Sequence, residues 1–157
     1  MKKKLLVLLS IVALFYACSS DDDNNITPPS GEEFMGTWQL TAITVSNAID
    51  ANNDGNTSTN LLDEVTCLQE TFILNEGFTW TSNAVNVRLI SAITGNLYNV
   101  SCSDPQATNG NWGVDNGRIF LVGGNDTREF TVAGSEIIET IGQNLPGIQS
   151  FTFQRQE

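Results

Sequence analysis

From Phe34 onward, apolar and polar residues alternate with a period of two, the pattern of half-buried strands rather than helices. In "TWQLTA", Trp38, Leu40 and Ala42 share one face, with Gln39 and Thr41 on the other. The apolar series then slips to Ile43 and Val45, which predicts a bulge or a bend. "ETFILNEGFTW" aligns Phe72 with Leu74, turns at Asn75-Glu76-Gly77 and returns through Phe78 and Trp80, a hairpin. "AVNVRLI" and "NLYNVSC" read as strands around Gly95-Asn96, and "NWGV" and "RIFLV" flank the hairpin signal Asp115-Asn116-Gly117. "REFTV" and "EIIETI" flank Gly134-Ser135, and "IQSFTFQR" follows Pro146-Gly147. The pattern predicts an all-β domain over residues 33–157, a single antiparallel meander of eight or nine strands. A meander of that count hides its edges best by closing into a barrel.

The first 17 residues differ. Lys2, Lys3 and Lys4 precede an apolar run from Leu5 to Tyr16 broken only by Ser10, then Ala17 and Cys18. A run of about a dozen apolar residues is too short to span a bilayer and reads as a secretory signal. A small residue before a Cys at the end of such a run resembles the lipobox of bacterial lipoproteins. That resemblance implies lipidation of Cys18 and anchoring in the membrane. Ser19-Ser20-Asp21-Asp22-Asp23 is similar to the surface-export signal of Bacteroidetes lipoproteins, which implies an outer-membrane location facing outward. Residues 18–32, polar and carrying Pro28 and Pro29, read as a disordered acidic tether.

Without the leader the chain keeps all 18 acidic residues against Arg88, Arg118, Arg128 and Arg155, a net charge of −14. That charge argues against nucleic acid and anionic surfaces as partners. With no histidine, the commonest general base and the commonest zinc ligand are both missing. Cys67 and Cys102 remain in an oxidising setting and are expected to form a disulfide closing a loop of 36 residues. Two buried free thiols are the alternative. The bond would tie central strands at one end of the barrel.

"GTWQL", Gly36 to Leu40, carries a Gly-x-Trp at the start of the first strand, and "GNWGV" at Gly110 to Val114 echoes it. Together with "FILNEGFTW", this resembles the lipocalin-like domains of Bacteroidetes surface lipoproteins over roughly residues 33–156. The resemblance implies that Trp38, with Gly36, plugs the closed end of a barrel. Arg155 is its candidate for the basic residue that often stacks on that tryptophan.

Asp50, Asn52, Asp54 and Gly55 match the first half of a calcium loop, with Asn56 and Ser58 as further oxygen donors. Leu61 stands where the closing Glu belongs, and Asp63 or Glu64 are substitutes if the loop wraps further. A weak structural calcium site and a plain turn-forming loop are both compatible with that stretch. No other cofactor is expected, and no catalytic set is legible. Glu70 and Glu139 are carboxylates within strands, where charge is more often the wet face. The sequence therefore predicts a non-enzymatic, lipid-anchored surface protein whose barrel binds a small apolar or amphipathic molecule. The alternative is a filled barrel serving as an adhesion or assembly module.

Overall fold

The computed structural model describes residues 30–91, 98–142 and 147–157. The signal peptide, Cys18, most of the tether, Gly95-Asn96 and Pro146 lie outside them. Among the described residues no helix is long and apolar enough to cross a membrane.

The chain starts with a 3-10 turn, Glu32–Phe34, and strand β1 (Gly36–Ile49). The expected slip in β1 is present: its pairing register shifts between Leu40 and Ala42, putting Leu40 and Ile43 both inside. After residues 50–57 come β2 (Ser58–Asn60) and a single helical turn, α1 (Leu61–Glu64). Neither element carries a periodic signal in the sequence. Asn60 explains both, because its Oδ1 accepts from the Leu62 N–H, capping α1, and from the Ile43 N–H at the bulge.

Strands β3 (Glu70–Asn75) and β4 (Thr79–Ala84) form the first hairpin, and β5 (Val87–Ser91) pairs with β6 (Tyr98–Cys102). The meander continues through β7 (Gln106–Asp115), β8 (Arg118–Gly123), β9 (Asp126–Ala133), β10 (Glu136–Thr140) and β11 (Ile148–Arg155). The β7–β8 turn places Asn116 and Gly117 at φ 49° and 73°, the left-handed pair a tight hairpin requires. Successive pairings run β1-β3-β4-β7-β8-β9-β10-β11, and β11 pairs back onto β1. The domain is therefore a closed, eight-stranded, antiparallel barrel with β2 added outside the ring. β5 and β6 were expected within the meander. They instead form a separate two-stranded sheet inserted between β4 and β7.

One end of the barrel is solid. Trp38 is 2 % exposed, and Phe72, Phe130 and Phe153 meet at centroid separations of 4.9–5.8 Å. Leu74, Ile119, Leu121 and Ile137 fill the spaces around them. Trp38 Nε1 donates to the Phe34 carbonyl at 2.9 Å, and Trp112 Nε1 to the Asn75 carbonyl at 3.0 Å. Arg155, opposite Trp38 in the β1–β11 register, donates to the carbonyls of Glu33 and Met35. The arginine thus secures the chain where it passes beneath Trp38. Gly31 lies against the Trp112 ring, so the segment ahead of β1 is packed onto this sealed end.

Candidate functional site

Glu70, Arg128 and Glu139 stand at mid-height inside the barrel. Each is two residues from a buried apolar side chain on its own strand: Phe72 on β3, Phe130 on β9, Ile137 on β10. Successive side chains of a strand alternate faces, so residues two apart share one. The expectation that Glu70 and Glu139 form part of a wet outer face is therefore corrected. β3 and β9 lie four strands apart around a ring of eight, directly across the lumen. Arg128 reaches from one wall to the other.

Its guanidinium donates Nε and Nη2 to Glu139 Oε2, at 3.0 and 2.7 Å, Nη1 to Glu70 Oε1, and Nη2 also to Glu70 Oε2 at 3.5 Å. It also lies 5.1 and 5.5 Å from the ring centres of Phe130 and Phe153. Burial opposes the charged guanidinium, but the bond to Glu139 and the charge of Glu70 more than offset it, holding Arg128 above its ordinary value. The side chains of Glu70, Glu139 and Arg128 are 13, 11 and 24 % exposed, so the bridge is largely dry.

Above this strut the interior opens into a cavity of about 1120 Å³. The strands taper toward it. On β4 the inward series runs Trp80, Ser82, Ala84, and on β7 it runs Trp112, Gly110, Thr108, Gln106. Ser82 and Thr108 share a hydrogen bond of 3.0 Å. Apolar walls come from Leu40, Ile43, Leu61, Leu68 and Phe151, and the β5–β6 hairpin contributes Val87 and Leu89. Trp80 both packs and lines, being 6 % exposed and facing the cavity. Gly110 makes this geometry feasible: a Cβ there would sit 1.9 Å from the Val122 carbonyl oxygen and 2.8 Å from Trp80 Nε1. Leu61 and Leu68, on α1 and the segment ahead of β3, were missed by the sequence reading because no barrel strand carries them.

Cys67 and Cys102 are bonded, with Cα atoms 6.4 Å apart. The bond does not tie two barrel strands, as the sequence suggested. It joins the segment ahead of β3 to the end of β6, and so fastens the hairpin beside the cavity mouth. Asn53 helps from the other side, exchanging two bonds with the Tyr98 backbone at 3.0 and 3.1 Å.

The expected calcium residues do come together as a loop. The Asp50 carboxylate accepts from the N–H groups of Asp54 and Gly55, Asn52 Oδ1 from Asp54 N–H, and Asp54 Oδ1 from Asn56 N–H. That last bond holds the Asp54 carboxyl below the usual carboxylate range. Asp63 instead accepts from Ser58 Oγ at 2.7 Å, and Glu64, buried, accepts from Ala51 N–H at 3.1 Å. Among the described residues, no three acidic or cysteine side chains gather in a metal-holding group.

The chain matches no protein-family model and has no significant match among curated proteins.

Proposed function

We propose that this chain is a lipid-anchored lipoprotein of the bacterial outer surface whose lipocalin-like barrel carries a small amphipathic molecule. The observation that carries the reading is the half-filled barrel: aromatic packing seals one end, and a 1120 Å³ cavity occupies the other. Ligand pockets typically measure about 300–1,000 Å³. A filled adhesion or assembly module needs no such space, so the cavity favours carriage. A purely apolar ligand would displace water from the acceptor positions that Arg128 leaves open on the floor carboxylates, which favours an amphipathic one.

The anchor rests on Ala17-Cys18 and the aspartates that follow. The packed segment from Gly31 enters at the sealed end, so a tether from Cys18 would hold the barrel with its mouth facing away from the membrane. Glu70 and Glu139 are both bonded to Arg128, and the chain has no histidine, which supports a non-catalytic role.

The test is saturable binding of the neutral fluorescent probe N-phenyl-1-naphthylamine, read by quenching of the tryptophans. Carriage predicts a stoichiometry near one and displacement by small amphiphiles. Absence of saturable binding would return the protein to the module reading. Cys18→Ser should release the protein from membranes, and retention of the variant there would end the anchor.

A further inference from the structure

We propose that the cavity selects an amphipathic cation, its alkyl portion against the apolar wall and its charged head on the acceptor positions that Arg128 leaves open on Glu139 and Glu70. This rests on the carriage reading above and names the ligand class. The floor of the cavity holds two carboxylates and one guanidinium, a formal charge of −1. Asp126 adds a further carboxylate to the wall. A carboxylate offers about four acceptor sites; the guanidinium takes one on each oxygen of Glu70 and two on Oε2 of Glu139, leaving Glu139 Oε1 and the second lone pairs of Glu70. What the floor still offers a ligand is therefore acceptors and negative charge.

Among the described residues no cation in the cavity is left over for an anionic head. Arg128 is the sole basic residue in the cavity wall among the described residues, and it is bracketed from both sides. Arg118 is paired with Glu129 on the outer surface, and Arg155 holds the chain at the sealed end. Arg88, the remaining arginine, belongs to the hairpin, is exposed and does not line the cavity. A carboxylate or phosphate head would have to break a bond to Arg128 and then face the displaced glutamate. An ammonium head meets no such cost. It also finds the Trp80 and Phe151 rings in the same wall, surfaces suited to a cation. The net charge of −11 over the whole chain draws cations toward the mouth as well.

The experiment compares decylamine, 1-decanol and decanoate, one chain length with three heads, as competitors of N-phenyl-1-naphthylamine at neutral pH. Decylamine should displace the probe at a concentration at least about tenfold below that of decanoate, with decanol between them. Glu139→Gln, and independently Glu70→Gln, should shrink that advantage by about tenfold. Glu129→Gln, on the exposed outer pair, should leave it unchanged and so exclude adsorption to the acidic surface. Decanoate competing as well as or better than decylamine in the wild-type protein would overturn the inference while leaving carriage intact, and requires no variant to fold. Failure of the probe and of all three competitors to bind would overturn carriage and the cation preference together.

Discussion

Around Trp38 the barrel is packed solid, whereas farther along the same strands it is hollow. Both halves are built from the same eight strands with the same alternation, so the backbone does not make the difference. Side-chain size does. β3 passes from Leu74 and Phe72 to Glu70, and β4 from Trp80 to Ser82 and Ala84. An eight-stranded barrel is just wide enough to be filled by its own large side chains, so replacing them with small ones leaves a void. The Arg128 strut marks the boundary. Taking ions out of water is costly, and a buried ion pair is often no more stabilising than apolar residues of similar volume. A polar bridge across the lumen is thus better explained by what lies above it than by stability.

The sharpest way to break this contrast is at the sealed end. Trp38→Ala should lower stability by about 3–5 kcal/mol, because it removes a buried indole and its bond to Phe34. A loss below about 1 kcal/mol in denaturant unfolding would mean the end is not sealed by packing. At the mouth, Cys67→Ser should cost about 3–4 kcal/mol in the chain-entropy account. Amide exchange should quicken in β5 and β6 while the β8–β9 ladder stays protected. Uniform deprotection would show instead that the hairpin is integral to the barrel.

At the boundary, Arg128→Met strands two carboxylates near each other. It should cost about 2–3 kcal/mol, less than for a fully buried pair because the side chains keep 11–24 % of their surface exposed. Replacing the trio together, Glu70→Leu with Arg128→Met and Glu139→Leu, should leave the unfolding midpoint unchanged or raised while abolishing discrimination between charged ligands. A large loss of stability in the triple variant would assign the strut to folding instead.

The smallest effect belongs to the Asp50–Asn56 loop, outside the barrel. The Asp54 carboxyl is held below its ordinary value, so its contribution is present above the unfolded carboxylate range and lost as pH falls through the lowered folded value. Asp54→Ala should therefore remove a slight acid sensitivity of the midpoint. The calcium motif predicts a rise in that midpoint with millimolar calcium, also removed by Asp54→Ala. An acid effect without a calcium response assigns the residue to its turns alone.

Much of the barrel was legible because strands and tight turns are written locally. Asn116-Gly117 and the parity of Phe72 with Leu74 needed no knowledge of distant residues. The inward position of the charged trio was written in the same parity but was read the other way. Glu70 shares parity with Phe72, Arg128 with Phe130 and Glu139 with Ile137, and the general tendency of strand charges to face water concealed it. The cavity residues Leu61 and Leu68 were not legible, since no periodicity marks a one-turn helix or an irregular segment.

The sequence by itself determined the alternation, the turns and the slip in β1, all properties of residues near one another in the chain, and it named Cys67 and Cys102 as candidates for a bond. Only the tertiary structure decided that β5 and β6 leave the ring, that the two cysteines are bonded and hold them at the mouth, and that Arg128 meets Glu70 across the lumen. Those depend on which strands face each other after closure. Arg128 and Glu70 lie 58 residues apart, and a period of two states which face a side chain takes but not what stands opposite it.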